Sequence, residues 1–202
     1  IDLSKFQGDT PGLLEAARIA ARANYRQTCV NLQDGVLQEA WHLNNDFLRL
    51  CGVGITGEAM RPDLRAYDMR RLQREATDAA YGMADDLNTP RPKNVTTIKP
   101  SGTMSKIMDT TEGCHKPLGK YVFNNVNFSR NDPLVDVCRQ ANYRVQPNPN
   151  DPEGVLVTFP VAYTGVRFDD REGLEVNLDS AVDQLEHYKS LMRNYVQHNA
   201  SI

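Results

Sequence analysis

Apolar residues fall at helical spacing along residues 11–29, where Leu14, Ala17, Ala21, Tyr25 and Cys29 form one stripe. Glu15, Arg18, Arg22 and Arg26 lie largely off it, which predicts an amphipathic helix with Cys29 as a core position. Residues 1–10 read as a polar, extended lead-in. Residues 36–43, with Trp41, predict a second helix ending in the turn-like Asn44-Asn45-Asp46. The pattern then changes: Leu48, Leu50, Val53 and Ile55 among Gly52, Gly54 and Gly57 predict a buried strand over residues 47–56 with close backbone contacts. Arg61-Pro62-Asp63 opens a third helix, with an apolar stripe of Met69, Leu72, Ala76, Ala79, Ala80, Met83 and Leu87. Val95, Thr96, Thr97 and Ile98 have the stiff β-branched side chains of a strand, and Met104, Ile107 and Met108 return to helical spacing.

Further on, residues 121–129 alternate Val122, Asn124, Val126 and Phe128 against Tyr121 and Phe123, as a strand does. Asp132-Pro133 starts a short helix with Leu134, Val137, Cys138 and Ala141 inward. Residues 144–146 form a brief extended piece and residues 155–161 a clear strand, while residues 164–178 are charged and loop-like. Ser180 with Asp183 is close to a capping box for a last helix, whose stripe is Ala181, Leu185, Tyr188, Leu191 or Met192, and Tyr195. Strands alternating with helices predict an α/β arrangement with largely parallel pairing. No internal repeat or domain linker stands out, so residues 1–202 read as one fragment of a single domain.

The chemistry concentrates in Lys99-Pro100-Ser101-Gly102-Thr103-Met104-Ser105, between the 95–98 strand and the next helix. Pro100 has no N–H for a sheet ladder and ends the strand. Gly102 lets backbone approach a ligand or turn sharply, and Ser101 or Thr103 can cap the helix. The unpaired N–H groups of such a helix start form an anion site, most often for phosphate. The same strand–turn–helix pattern also serves as a plain connection. It is neither a Walker loop nor a dinucleotide fingerprint, and Gly-Val-Gly-Ile-Thr-Gly at 52–57 has the wrong spacing for the latter.

Composition narrows the function classes. Hydrophobic residues are 40% and charged residues 24%, as in a soluble globular core, and 23 Lys and Arg against 26 Asp and Glu give a net charge of −3. That charge excludes binding of nucleic acid through bulk basicity but leaves nucleotides possible, because a local anion site needs no global positive charge. No apolar run has the length of a membrane span, and no signal-like segment precedes the first helix. Cys29, Cys51, Cys114 and Cys138 are scattered without a Cys-x-x-Cys pair. Scattered single cysteines predict buried thiols in a reducing, cytoplasmic setting, with no structural zinc. Cys114-His115 cannot easily ligate one metal from adjacent positions, and no metal site is assigned. His115 reads equally as a proton donor and as a surface-loop histidine.

Lys-Pro-Ser-Gly-Thr-Met-Ser at 99–105, followed by Thr-Glu-Gly-Cys-His-Lys-Pro at 111–117, resembles the catalytic subunit of ribonucleotide reductases, closest to the adenosylcobalamin-dependent (class II) branch. Arg49-Leu50-Cys51-Gly52-Val53-Gly54-Ile55-Thr56-Gly57 is similar to a barrel segment of that family, and Tyr195-Val196-Gln197-His198-Asn199-Ala200-Ser201-Ile202 to the start of its last barrel region. The resemblance implies the C-terminal part of a ten-stranded α/β barrel, incomplete at both ends. It implies conversion of ribonucleoside di- or triphosphates to 2′-deoxyribonucleotides by thiyl-radical chemistry, with adenosylcobalamin as cofactor, a thioredoxin-like reductant and allosteric nucleotides. Ser101, Gly102, Thr103, Met104 and Ser105 would hold the substrate's phosphates through main-chain amides, with Lys99 and His115 close to the substrate and Lys106 a second source of charge. The family's radical cysteine lies in an Asn-Pro-Cys-Gly-Glu motif, which is absent here and is expected before Ile1, as the C-terminal cysteine shuttle is expected beyond Ile202. No catalytic residue is therefore assigned. An unrelated α/β enzyme acting on sugar phosphates, or a non-catalytic structural domain, remains the alternative.

Overall fold

Asp9 begins the first long helix by accepting the Gly12 N–H at 2.9 Å, with Pro11 in the first turn where its missing N–H costs nothing. In the computed structural model, which describes residues 1–31, 35 and 37–199, this helix (α1) spans Thr10–Thr28. The chain continues through α2 (Glu39–Leu48), β1 (Val53–Ile55), α3 (Ala66–Asp86), β2 (Thr96–Ile98), α4 (Gly102–Met108), β3 (Tyr121–Ser129) and α5 (Pro133–Gln140). It then runs through β4 (Arg144–Asn148), β5 (Asp151–Ala162), β6 (Asp169–Arg171), β7 (Leu174–Val176), α6 (Ala181–Asn194) and β8 (His198–Asn199). Val36 and residues 200–202, the end of the last resembling motif, lie outside the described residues.

The described chain divides into two compact units. The first holds Ile1–Pro117, Gly165–Arg167 and Leu178–Ile202. Its three strands are parallel in the order β1-β2-β8, with Gly54 beside Thr97 and Thr97 beside His198. Alternation puts Val53, Ile55, Thr96 and Ile98 on one face, and these are buried with the stripes of α1 and α3. Ala17 and Ala21 of α1 and Ala76 and Ala80 of α3 have no exposed surface, so small side chains let the two helices approach closely. Tyr25 is equally buried, and its hydroxyl is satisfied by Thr89 Oγ1 at 2.7 Å and the Pro90 carbonyl at 2.6 Å.

The second unit, Leu118–Thr164 with Phe168–Asn177, is antiparallel: β3 pairs with β5 and β5 with β4. The largely parallel pairing predicted from the sequence therefore holds in the first unit, while the second is antiparallel. β4 and β5 are joined by a turn too short for the crossover that parallel strands need. Residues 164–178, expected as a loop, contain the β6–β7 hairpin. Glu172 (φ 54) and Gly173 (φ 85) give it the two positive-φ turn residues that match strand twist.

Other boundaries move. Residues 44–46 lie inside α2 instead of ending it, and Phe47 and Leu48 belong to that helix, so the strand shrinks to Val53–Ile55. The third helix starts at Ala66, beyond Pro62, with Asp68 accepting the Arg65 N–H. In α5 the inward residue is Val135, while Leu134 and Val137 are exposed; in α6, Leu185 is exposed and Leu191 is buried, as is Tyr195 at the helix's C-terminal cap. Residues 1–10 are not an extended lead-in. Leu3 opens a 3₁₀ turn, Leu3–Phe6, and has no exposed surface.

Candidate functional site

The parallel strands β1 and β2 both end where their chains turn into polar loops, the end of an α/β sheet at which ligands usually bind. After Ile98 the chain passes through exposed Lys99 and half-buried Pro100 to Ser101, which sits at the N-cap position in left-handed backbone (φ 55). Its hydroxyl does not cap the helix; Oγ lies 3.5 Å from the Lys99 carbonyl. The first intrahelical bond of α4 runs from the Ser105 N–H to the Ser101 carbonyl at 2.8 Å. The N–H groups of Gly102, Thr103 and Met104 thus precede any helical acceptor, and all three residues are exposed. A Cβ at Gly102 would meet nothing within 4 Å, and its φ is not positive. Glycine at 102 is required neither by packing nor by backbone geometry.

Ser105 differs from its neighbours: it is fully buried and its Oγ donates to the Gly102 carbonyl at 3.1 Å, so its side chain shapes the turn from within. Met104 and Ile107, expected on an apolar stripe, are exposed. Lys106 pairs with Glu112 at 2.8 Å.

The loop after α4 folds back beneath this turn. Gly113 (φ 53) is the close approach: a Cβ there would lie 2.6 Å from the Lys99 carbonyl oxygen. Thr56, at the end of β1, ties the same loop down. Its hydroxyl donates to the Thr111 carbonyl at 2.7 Å and accepts the Gly113 N–H at 3.1 Å, while the Gly57 N–H reaches the Thr111 carbonyl at 3.0 Å. Gly57 (φ 72) is equally constrained, since a Cβ would fall 2.5 Å from Asp2 Oδ1. The motifs at 54–57, 99–105 and 111–115 therefore meet in one place. His115 is exposed on this rim, whereas Cys114 is buried, and burial with the nearby Glu58 carboxylate pushes its thiol up to about 11. Cys51 is also buried and pushed up to about 11, chiefly by desolvation. Cys29, read as a core position, is half-buried at the end of α1.

Sequence reasoning missed the residues that brace the site. Asp2 is buried, and its Oδ1 accepts from the Ser4 N–H at 3.0 Å and the Thr110 hydroxyl at 3.0 Å. The buried Arg61 guanidinium donates to the Leu3 carbonyl at 2.9 Å and forks onto both oxygens of Asp63 at 2.8 Å. Asp2 followed two residues later by Ser4 is the capping signal that could have exposed the first; Arg61 gave none. Among the described residues, no group of three or more His, Cys, Asp or Glu side chains is placed to hold a metal ion, and no helix is long and apolar enough to cross a membrane.

No family model matches the chain. Among curated proteins it is similar to the adenosylcobalamin-dependent ribonucleoside-triphosphate reductase of Lactobacillus gasseri, 31% identical over 90 residues, which is 45% of this chain and 12% of that protein. It is also similar to the enzymes of that name from Levilactobacillus brevis, 35% identical over 66 residues (33% of this chain, 9% of the relative), and Lactobacillus leichmannii, 33% over 70 residues (35% and 10%). Among solved structures, a B12-dependent (class II) ribonucleotide reductase matches 94% of this chain with a TM-score of 0.74 at 20% identity. The α/β fold is thus that of part of this reductase, and the likeness read from the motifs is shown in both sequence and fold. The chain spans about a tenth of the length of the curated relatives it matches and 30% of the solved chain.

Proposed function

We propose that this chain is a segment of the ten-stranded catalytic barrel of an adenosylcobalamin-dependent ribonucleotide reductase, both units included, and that it holds the substrate's phosphates. The observation that carries the reading is the 31% identity to a triphosphate reductase, in a chain whose fold follows the class II enzyme over 94% of its length. The geometry agrees with it. Phosphate oxygens would accept from the N–H groups of Gly102, Thr103 and Met104, with the Ser101 and Thr103 hydroxyls beside them and the exposed Lys99 adding charge. Ser105 would act by setting the turn, and Lys106, already paired with Glu112, would contribute less. His115 would stand at the rim of the substrate site.

The whole enzyme would convert ribonucleotides to 2′-deoxyribonucleotides by thiyl-radical chemistry, drawing electrons from a thioredoxin-like reductant under control of allosteric nucleotides. The relatives' names make a ribonucleoside triphosphate the first substrate to test. No residue here is assigned a catalytic role: Cys51 and Cys114 are buried among packed side chains, and Asn-Pro-Cys-Gly-Glu does not occur. The radical cysteine is assigned to the part of the enzyme that this chain does not span. Adenosylcobalamin is proposed for the whole enzyme from its relatives' names, and no step is routed through it.

The test is anaerobic reduction of ribonucleoside triphosphates by the full-length protein with a dithiol, with and without adenosylcobalamin. Cobalamin-dependent formation of deoxynucleotides is expected. In the same enzyme, Gly102→Val should raise KM by about tenfold or more, a loss of about 1.4 kcal/mol of substrate binding. Unchanged KM and kcat in the variant would remove the phosphate assignment, and binding of simple sugar phosphates without nucleoside preference would favour the other enzyme class.

A further inference from the structure

Helix α6 is held very differently at its two ends. Its second half is fixed in the core: Leu191 and Tyr195 are buried, Asn194 accepts from Arg70 at 2.6 Å, and the Tyr195 hydroxyl donates to the Val53 carbonyl at 2.8 Å. Residues 181–187 are exposed throughout. An ion pair ties this half to the rim of the site, His187 Nε2 to Glu58 Oε2 at 2.9 Å, and a second from Lys116 to Asp179 at 3.1 Å fastens the segment just before the Ser180 cap. Glu58 directly follows Gly57, its side chain is only 13% exposed, and its N–H faces the Gly113 carbonyl at 3.4 Å.

We propose that the His187–Glu58 contact is a pH-operated clasp that holds the first half of α6 against the turn after β1 while the imidazole is protonated and loosens it as the imidazole loses its proton. The charges facing His187 are Glu58 and, farther off, Asp179, which is itself engaged by Lys116. Cys114, beside Glu58, stays a neutral thiol through this range, and Glu186 and Lys189 on α6 pair with each other at 2.7 Å. Hydrogen bonding to Glu58 outweighs the desolvation of the ring and raises His187 above its ordinary 6.5. The clasp is therefore fully closed below 6.5 and opens as pH rises through the raised value, while the lysine–aspartate pair keeps its charges. An exposed ion pair seldom matters to global stability. Here it governs a half-helix with little buried surface, where local opening needs little free energy.

The clasp does not depend on the reductase reading, because its test reads protons and amides. Hydrogen exchange by mass spectrometry on the full-length protein, corrected for intrinsic rates, would be compared at about pH 6 and about pH 8, with ring exchange reporting the His187 midpoint. A midpoint above 6.5 is expected, falling towards 6.5 in Glu58→Gln. Peptides over residues 181–188 should lose about threefold to tenfold of their protection at the higher pH, and peptides over 191–195 should not. In His187→Gln the pH dependence of residues 181–188 should vanish. A wild-type midpoint at or below 6.5, or the same loss of protection persisting in His187→Gln, would overturn the clasp.

Discussion

Two glycines of the loop region carry opposite demands. Gly113 sits at φ 53 with the Lys99 carbonyl where its Cβ would be, so its demand comes from the fold. Gly102 faces open space without a left-handed angle, so its demand, where one exists, comes from a ligand. Gly113→Ala is expected to cost about 1–2 kcal/mol from the left-handed backbone alone, and more because the carbonyl has to move. Gly102→Ala should change stability by no more than about 0.5 kcal/mol, as exposed substitutions usually do. Urea denaturation of both variants checks the contrast; equal losses would mean that the fold, too, needs glycine at 102. The sequence placed both glycines in motifs and could not separate their roles, because what distinguishes them is a neighbour 14 residues away, the Lys99 carbonyl.

Among the elements, α2 shows most clearly where a hydrophobic pattern misleads. Its polar side faces the protein: Asn45 donates to the Thr28 carbonyl at 2.7 Å, the buried Arg49 guanidinium donates to that same carbonyl and to Asp46 at 2.7 Å, and His42 lies 3.3 Å from Asp46. Its apolar side, with Leu43 59% and Phe47 64% exposed, faces away. The work of α2 is to satisfy a carbonyl left without an intrahelical partner at the end of α1. Asn44-Asn45-Asp46 looks like a turn because these residues usually satisfy local backbone; here Asn45 reaches another helix instead. Arg49→Met, which keeps the stem and removes the charge-assisted bond, is expected to cost about 1.5–3 kcal/mol. A chemical-denaturation midpoint indistinguishable from wild type would mean that Asn45 alone suffices. Helices α1 and α3 were legible because their alanine and leucine stripes follow one period without such inversion. The antiparallel unit was legible as strands but not as pairings, since alternation fixes the face of a strand and not the direction of its neighbour.

For the molecule as a whole, the convergence of the three motifs could be anticipated from their order and glycines, while the braces around them could not. Arg61 to Leu3, Asp2 to Thr110 and Glu58 to His187 join residues 58, 108 and 129 positions apart, and single polar residues leave no periodic signature at such separations. These braces also shape the response to acid and base. Arg61 holds the Asp63 carboxyl below its ordinary 3.8, and Arg91 and the Ser180 cap do the same for Asp85 and Asp183. A carboxyl lowered by folding adds stability that is complete above 3.8 and is lost as pH falls through the folded value. His187 has the opposite sign: its contribution is complete below 6.5 and is lost as pH rises through its raised value. The lowered carboxyls therefore set the acid limb of global stability, whereas the half-exposed His187 pair acts on the first half of α6 alone. The acid limb should rest mainly on Asp63: its carboxylate is exposed like those of Asp85 and Asp183, but its partner Arg61 is only 3% exposed and is left as a buried charge without its counter-charge when Asp63 is protonated, whereas Arg91, the partner of Asp85, is itself exposed. Asp63→Asn should lower the thermal midpoint near pH 6 and flatten its fall towards pH 3, while Asp85→Asn should leave the curve close to wild type. Scanning calorimetry across that range separates the cases: an acid limb of unchanged steepness in Asp63→Asn would move the acid sensitivity away from the brace that holds Leu3 beneath the site.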